Sequence, residues 1–339
     1  MHVLIANLFI AGAAKAGTTA LHHYLGQHPA IFMSPVKEPN YFAFPQGIPT
    51  FAGPESLGGS TFIRDRLRRE TYGLSVLDRA AYERLFIQGR DRKLRGESSA
   101  AYLYFPGCAE RIHEAVPDAR IIAILREPVD RAFSKYRQMR RDRVEPLTSF
   151  AAAVAAEPER QRAGWAPTWL YLDRGRYHRQ LQPYFARFDR RQIHVLLYDD
   201  LRADPRATLR GIFAFLGVDP DVPIDMGEAH NRSGIAETPR FGLLYDLTIR
   251  PYLMSPRLQS LMPRGLAATI RPWARRLMLR QAGTAPEALP PDLATELRAG
   301  MRDEVERLQD LIGRDLSHWL APVPGRKEPV RVLAEAGQS

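Results

Sequence analysis

The chain has 339 residues, of which 45% are hydrophobic and 25% charged, so it can bury the core of an ordinary globular domain. Its single cysteine, Cys108, excludes an internal disulfide framework and a cysteine-rich metal site. The formal net charge of +10 favours an anionic ligand, nucleic acid or an anionic membrane surface as a partner.

The chain begins with an apolar stretch, residues 1–14, that is similar to a secretory signal peptide in its small residues. It lacks the basic residues that open such a peptide, and Asn7 interrupts the apolar run. We therefore expect a buried strand over residues 8–12, followed by a helix over 17–27. No apolar run in the sequence reaches the length of a membrane span.

Further along the chain, short apolar runs alternate with helical patterns. Residues 40–75 are rich in glycine, proline and aromatic residues, which predicts a long functional loop. Two more buried strands are expected, each followed by a helix: strands over 119–125 and 192–197, a helix that begins at Pro128 and a helix over 205–216. This alternation predicts a parallel sheet built from βαβ units.

The C-terminal part has a different pattern. Residues 247–286 contain no acidic residue and several arginines among apolar residues, which favours a helical region facing an anionic acceptor or membrane. The apolar spacing over 293–312 predicts one amphipathic helix. The sequence thus indicates a single α/β domain of P-loop type over 1–322, a central parallel sheet flanked by helices, a helical C-terminal extension and a disordered tail over 323–339.

The first predicted strand runs into a phosphate-binding pattern. Gly12 ends the strand, and Lys15, Gly17, Thr18 and Thr19 lead into the helix. Glycines let backbone N–H groups face an anion, and the helix N-terminus adds positive potential. The two glycines keep the Walker A spacing, but a threonine stands where that motif has its lysine, which argues against an ordinary NTPase. A chance lysine in a strand-to-helix turn is the alternative interpretation.

A second anion-binding pattern follows the strand over 119–125. Arg126 lies at the carboxyl end of that strand, where ligands bind in open α/β sheets. Ser134 follows two helical turns later and offers a hydroxyl to the same anion. Taken singly, Arg126 is interpretable as a surface arginine and Ser134 as a helix serine bonded to its own backbone. Two such patterns in order, each after a buried strand, argue against a chance match. They favour a nucleotide with phosphate groups at two separate positions.

Together the two segments resemble sulfotransferases that use 3′-phosphoadenosine-5′-phosphosulfate (PAPS), most closely the heparan sulfate and bacterial branch. The resemblance implies that the first loop (Lys15, Ala16, Gly17, Thr18, Thr19) binds the 5′-phosphosulfate, with Lys15 also stabilising charge on the bridging oxygen. It implies that Arg126 and Ser134, in the motif R-x-P-x-x-R-x-x-S, bind the 3′-phosphate. Weaker similarities extend over about residues 8–320, and they include a loop that closes over the nucleotide, formed by Asn231, Arg232 and Ser233.

The resemblance also implies a catalytic base. Glu38, in Lys37-Glu38-Pro39-Asn40, matches the glutamate that removes the acceptor proton in this family. Lys37, Asn40 and Tyr177 are expected to contact the acceptor or to support residues that do. His22, His23 and His28 are alternative bases, although none lies in the setting of the histidine used by the cytosolic branch. Heparan sulfate members commonly have lysine where this chain has Ser98, which weakens the prediction of a highly sulfated acceptor.

The expected reaction is sulfuryl transfer from PAPS to a hydroxyl or amine of a glycan, lipid or small metabolite. No metal is expected, nor is nucleic acid as a partner, and the expected location is the cytoplasm with peripheral contact to an anionic membrane. One alternative is a P-loop kinase that uses Mg-ATP, because residues 193–200 imitate a Walker B strand. A non-catalytic protein that binds anionic membranes or nucleic acid is the other alternative.

Overall fold

The computed structural model describes residues 4–54, 72, 75–142, 144–227, 237–239, 279–281 and 288–321. At its centre is a five-stranded sheet in which all neighbouring strands are parallel. The strands are β1 (Leu8–Gly12), β2 (Ile31–Met33), β3 (Leu94–Ser98), β4 (Arg120–Leu125) and β5 (Ile193–Leu197), and their order across the sheet is β2-β3-β1-β4-β5. The predicted parallel sheet is confirmed.

Helices flank this sheet. They are α1 (Thr18–Gly26), α2 (Arg79–Arg84), α3 (Ala101–Tyr104), α4 (Cys108–Ala115), α5 (Pro128–Arg141), α6 (Phe150–Ala155), α7 (Glu157–Arg162), α8 (Tyr177–Arg187), α9 (Tyr198–Ala203), α10 (Pro205–Leu216), α11 (Pro291–Gly300) and α12 (Arg302–Ile312). Two short strands, β6 (Glu237–Pro239) and β7 (Leu279–Gln281), form a separate antiparallel pair. The predicted end of α10 at Gly217 is confirmed, since this glycine has the left-handed φ of 64° that commonly ends helices.

The structure contains two sheet strands that the apolar pattern does not predict. β2 has only three residues. β3 contains Arg95, Gly96 and Glu97 where a buried strand normally has an apolar run, yet all its residues except Arg95 are buried. A buried glutamate is tolerated in a strand only where hydrogen bonds satisfy it. β3 therefore depends on contacts with other segments. It pairs with β1 and β2, and Tyr82 donates a hydrogen bond to Glu97.

A crevice forms where the carboxyl ends of β1 and β4 meet. These two strands are neighbours, with Leu8 opposite Arg120. The chain leaves β1 toward β2 on one side of the sheet and leaves β4 toward β5 on the other. In open α/β sheets such a reversal separates the two connecting loops and creates the usual ligand-binding crevice. The two predicted anion-binding segments follow β1 and β4, so the topology brings both to this crevice.

Helix α5 is anchored by a second hydrophobic core beside the main one. One side of the helix packs into this core through residues that include Val129, Phe133 and Tyr136, against Phe150 and Trp169. Below it, Arg160 donates to both carboxylate oxygens of Glu145, at 2.7 and 2.9 Å, and both side chains are buried. The second core therefore fixes the helix that carries Ser134.

The prediction of one helix over 293–312 is wrong, because the chain breaks at Met301 into α11 and α12. Leu293 and Leu297 of α11 pack against the second core. Val305, Leu308 and Ile312 of α12 belong to the main core. The apolar pattern is continuous, but its two halves pack against different cores, and the break at Gly300–Met301 lets each half reach its own.

Several predictions lie outside the described residues: most of the basic region 247–286, the tail, and a large part of the loop over 40–75. Across the described parts of the chain, no helix combines the length and apolar character needed to cross a bilayer.

The second core provides a stability prediction. Replacing Arg160 by Met leaves the Glu145 carboxylate buried without its cation, which should lower the free energy of unfolding by about 3–5 kcal/mol. Chemical denaturation measures this change. The double variant Arg160→Met/Glu145→Gln should recover part of the loss because it removes the unpaired charge. Arg79→Met, at an exposed pair with Glu83, is the control, and an equally small effect of Arg160→Met would contradict the role of the buried pair.

Candidate active site

The loop after β1 places the start of α1 at the crevice. Ala13 N donates to Ile124 O of β4 at 2.6 Å, which fastens the loop to the sheet. Gly17, with φ of 96°, precedes α1, and no described side chain caps this end of the helix. The first N–H groups of a helix have no carbonyl acceptor within it. They are therefore available to an anion, next to the buried Thr18 hydroxyl and the half-buried Thr19.

Lys15 enters this crevice from the loop. Its backbone has the left-handed φ of 70°, and its side chain is half-buried. Desolvation lowers the pKa of the Lys15 ammonium, and the nearby charges of Arg141 and Arg126 lower it further. A cation among other cations in a partly desolvated place is stabilised by an anionic ligand. The loop therefore has the geometry and the charge of a phosphate site.

Two tyrosines hold Arg126; Tyr198 was not predicted, whereas Tyr177 was expected either to contact the acceptor or to support residues that do. The Arg126 guanidinium lies 5.0 Å from the centre of the Tyr198 ring. The same ring lies where a side chain on Gly17 would sit, 3.2 Å from an ideal Cβ, so it joins the two anion-binding segments. Tyr177 is fully buried and donates to Arg126 O at 2.9 Å. In this structure Tyr177 supports Arg126.

Helix α5 presents buried polar atoms that have no partner among the described residues. Ser134 Oγ is one, and Arg131 Nε is another. Arg131 is only 1% exposed, its guanidinium donates to Tyr171 O, and burial lowers its pKa. Buried polar atoms without partners are uncommon in folded proteins and require an explanation. A phosphate group at this end of the crevice fits both atoms, because its oxygens accept from a hydroxyl and from a guanidinium.

Glu38 lies on a strained turn beside the crevice. Both Glu38 (φ 59°) and Asn40 (φ 52°) have left-handed backbones, which non-glycine residues rarely adopt. Glu38 N donates to Ser98 O at 2.8 Å, so the turn is fastened to the end of β3. Lys37 Nζ donates to Glu38 Oε1 at 2.9 Å, and the Glu38 side chain is 37% exposed. Local strain of this kind concentrates at functional sites.

Lys135 of α5 interacts electrostatically with both this turn and the phosphate loop. Desolvation lowers its pKa to about 7, Arg174 and Lys15 lower it as well, and Asp142 and Glu38 act in the opposite direction. Lys135 is half-buried and makes no hydrogen bond or ion pair with the described residues. It was not predicted as a site residue. The signal that could have found it is its rarity, since the chain has only five lysines among 48 basic residues.

Two more buried polar atoms lie next to Glu38. Asn40 donates to Ser75 Oγ at 3.0 Å, but its Oδ1 has no partner in the described chain. The Tyr72 hydroxyl is likewise without a described partner. Burial raises the pKa of Tyr72 to about 12; the Arg174 charge lowers it and the Glu38 charge raises it further.

The histidines considered as alternative bases have structural partners. His22 Nδ1 lies 2.9 Å from Ser98 Oγ, and desolvation followed by the Lys37 charge lowers its pKa to about 4. His28 Nδ1 accepts from Ala30 N at 3.0 Å, and its Nε2 lies 3.0 Å from Asp219 O. His23 is exposed. The position occupied by lysine in heparan sulfate members thus holds a serine bonded to His22.

The Walker B-like segment is also occupied by structural contacts. Both oxygens of Asp200 accept from Arg314 at 2.6 Å, and Trp319 Nε1 lies 3.4 Å from Asp199 Oδ2. These carboxylates attach the C-terminal segment to α9. Within the described ranges no group of three or more potential metal-ligating side chains was found. The predicted loop of Asn231, Arg232 and Ser233 lies outside those ranges.

Comparison with known proteins agrees with this geometry. The model of the sulfotransferase family matches residues 7–221, so the chain belongs to the sulfotransferase family. A solved sulfotransferase from Alicyclobacillus acidocaldarius is 33% identical, with a TM-score of 0.66 over 93% of this chain and 99% of that one. The shared fold agrees with the parallel sheet and its flanking helices.

Curated relatives are more distant. The human bifunctional heparan sulfate N-deacetylase/N-sulfotransferase 2 is 28% identical over 216 residues, which is 63% of this chain and 22% of that protein. The membrane-associated sulfotransferase kil1 of Dictyostelium discoideum is 22% identical over 75% of this chain and 63% of its own length. The chain thus spans about a fifth of the length of the heparan sulfate relatives. The predicted family resemblance is confirmed.

The loop geometry predicts a difference between two glycines. Gly17→Ala forces a side chain into a left-handed backbone and against the Tyr198 ring, and should cost about 1–3 kcal/mol of unfolding free energy. Gly211→Ala, in the exposed middle of α10 with open space around it, should instead stabilise by roughly 0.5–1 kcal/mol. Thermal or chemical unfolding of both variants tests this. Equal effects would mean that Gly17 is not constrained by φ or by Tyr198.

Proposed function

We propose that this protein transfers a sulfuryl group from PAPS to a hydroxyl or amine of an acceptor by in-line displacement. The observation that carries the proposal is the Ser134 hydroxyl on α5, which is buried and has no hydrogen-bond partner among the described residues. ATP has no phosphate on its 3′ oxygen, so a second phosphate site on α5 favours PAPS. The membership of the sulfotransferase family supports the same choice.

The residues of the crevice fit the two ends of PAPS. Lys15, Ala16, Gly17, Thr18 and Thr19 would hold the 5′-phosphosulfate through the start of α1 and the threonine hydroxyls. Ser134 and Arg126 would hold the 3′-phosphate. Asn231, Arg232 and Ser233 are proposed to close over the nucleotide. When bound, PAPS supplies the sulfuryl group attached to a phosphate leaving group.

Lys15 is proposed to stabilise the leaving group. Negative charge develops on the oxygen that bridges sulfur and phosphorus as the bond to sulfur breaks. Donors fixed in a partly desolvated site stabilise such charge more strongly than water does. Lys15 is held among other cations by its loop, so it is placed to interact with this charge without large rearrangement. A metal is not needed for this role.

Glu38 is proposed to be the general base. It must accept the proton of the acceptor hydroxyl or amine as the nucleophile attacks sulfur. Lys37 occupies one carboxylate oxygen, which leaves Oε2 for the acceptor. The backbone position of Glu38 is fixed because the turn is fastened to Ser98.

The acceptor is proposed to approach between Glu38 and Tyr72. Asn40 Oδ1 can accept from an acceptor N–H or O–H, and the Tyr72 hydroxyl can donate to an oxygen. Glycans, lipids and small metabolites all offer such groups. We further propose a cytoplasmic protein that contacts anionic membrane surfaces peripherally through residues 247–286, without nucleic acid as a partner.

The kinase alternative has little support in the structure. Asp199 and Asp200, which would have to hold Mg²⁺, are bonded to Trp319 and Arg314. A non-catalytic membrane- or nucleic-acid-binding protein would not need a glutamate on a strained turn beside a phosphate loop.

The 3′-phosphate site can be tested by ligand pairs. Ser134→Ala should weaken binding of adenosine 3′,5′-bisphosphate by roughly 10- to 100-fold, since a hydrogen bond to a charged group contributes about 1.5–3 kcal/mol. Binding of adenosine 5′-phosphate, which lacks the 3′-phosphate, should be unchanged. Isothermal titration measures both ligands. If wild-type protein binds Mg-ATP but not the bisphosphate, the PAPS proposal is wrong and the kinase alternative is favoured.

The base can be tested separately. Glu38→Gln keeps the size of the side chain but removes the proton acceptor, so sulfuryl transfer from labelled PAPS should fall by about 10²- to 10⁴-fold. Affinity for adenosine 3′,5′-bisphosphate should stay within twofold of wild type. Glu83→Gln, an exposed glutamate on α2, is the matched control. Unchanged transfer by Glu38→Gln would remove this residue as the base.

A further inference from the structure

Glu97 is a buried carboxylate to which nothing above assigns a role. It lies near the end of β3 and is 0% exposed. Three hydroxyl groups donate to it: Tyr82 at 2.6 Å and Tyr102 at 2.7 Å to Oε1, and Ser99 at 2.7 Å to Oε2. Burying a polar group so completely is costly unless its hydrogen bonds are satisfied, and here they are.

Two of these hydroxyls also bind the turn that carries Glu38. Asn40 N donates to Ser99 Oγ at 3.1 Å, and Phe42 N donates to the Tyr102 hydroxyl at 3.3 Å. Glu38 N also donates to Ser98 O. Every second N–H of the turn, at residues 38, 40 and 42, therefore donates to a residue within 98–102. The carboxylate thus lies one hydroxyl away from the backbone of the turn on two sides.

The direction of the hydroxyl hydrogens depends on the ionisation of Glu97. As a carboxylate it accepts all three hydrogens, which leaves the lone pairs of Ser99 and Tyr102 turned toward Asn40 and Phe42. A proton on Glu97 adds a fourth hydrogen, and the group then has one donor more than it has acceptors. Because Glu97 is fully buried, the extra donor can find an acceptor only if one of the three hydroxyls rotates.

The groups that face Glu97 come from several elements. Tyr82 lies on α2, Tyr102 on α3, Cys108 on α4 and Tyr184 on α8. Burial raises the pKa of each of them, to about 12 for Cys108, so all are neutral at pH 7. Among the described groups that shift the Glu97 pKa, none is a cation.

We propose that Glu97 is a positioning residue that, as a carboxylate, orients the Ser99 and Tyr102 hydroxyls and through them holds the Glu38 turn in its left-handed conformation. The proposal rests on the proposed role of Glu38 as base for its catalytic consequence, but the structural coupling stands independently of it. Glu97 itself does not touch the substrate.

Ionisation of Glu97 makes both stability and the order of the Glu38 turn depend on pH. Burial raises the pKa of Glu97 to about 7, against an ordinary value of 4.5, and the hydrogen bonds from Ser99, Tyr82 and Tyr102 oppose this. The stabilising contribution of Glu97 to the free energy of unfolding is therefore fully present below pH 4.5 and is lost as pH rises through about 7. Ordering of the turn changes in the opposite direction, since it requires the carboxylate. Transfer should increase as pH rises through about 7.

Hydrogen exchange tests the coupling without any acceptor. At pH 8, Glu97→Gln should speed exchange of the amides in a peptide covering 38–42 by roughly five- to tenfold, because about one hydrogen bond of stabilisation is lost. A reference peptide over 205–216 should not change, and Glu83→Gln should behave as wild type. Equal protection of 38–42 in wild type and Glu97→Gln would overturn the proposal.

Kinetics test the functional consequence. Glu97→Gln should lower kcat about tenfold at pH 8 and abolish the rise through pH 7, with affinity for adenosine 3′,5′-bisphosphate within twofold of wild type. Tyr82→Phe removes a donor to Glu97 that does not bind the turn, so it should move the midpoint of the kcat–pH profile upward and leave the high-pH plateau unchanged. An unaltered profile in both variants contradicts the positioning role. If Glu38→Gln is fully active, the proposed base is wrong, while the exchange experiment still decides the coupling.

Discussion

Positive charge gathered in a partly desolvated crevice is the constraint on which the rest of the structure depends. Beyond desolvation, nearby arginines that include Arg126 and Arg131 lower the pKa of Lys15, and the charge of Lys15 lowers the pKa of Lys135 on α5. Like charges in such a place repel, so other parts of the fold must hold them there. The Tyr198 ring beneath Arg126 and the second core behind α5 supply that restraint. A ligand with several negative charges would relieve the repulsion, so binding of such a ligand would stabilise the fold.

The other side of the crevice is built on a different principle. Glu38 carries a single carboxylate on a turn whose backbone is unfavourable for the residues that form it. Such strain persists only where surrounding contacts over-determine the conformation. Here those contacts come from the end of β3, through Ser98, Ser99 and the Tyr102 hydroxyl. The buried Glu97 accepts hydrogen bonds from Ser99 and Tyr102, and its ionised form lowers stability. The fold therefore loses some stability next to the turn that carries Glu38.

Much of the anion-binding half could be predicted because its information is local. The residues from Gly12 to Thr19 and from Arg126 to Ser134 each follow a buried apolar strand, and each segment contains its own ligand groups. Parallel strands bring their carboxyl ends to one edge, but the two segments meet because the strand order places β1 next to β4, which the pattern does not predict. The helix over 293–312 shows the limit of such reasoning, because a continuous apolar spacing does not say that its halves belong to two cores.

By itself, the sequence determined the α/β class, three apolar strands of the parallel sheet and the two segments proposed to bind phosphate, since periodicity and short-range spacing encode them. Only the tertiary structure decided what surrounds these segments. Glu38 and Ser98 are 60 residues apart, and Arg126 and Tyr198 are 72 apart, yet each pair is in contact. Glu97 accepts from Ser99 and Tyr102 within its own segment, but its third donor, Tyr82, comes from α2 and no local pattern marks it. Such contacts arise when packing brings distant segments together, and hydrogen bonds between them are then the only alternative to a buried, unpaired charge.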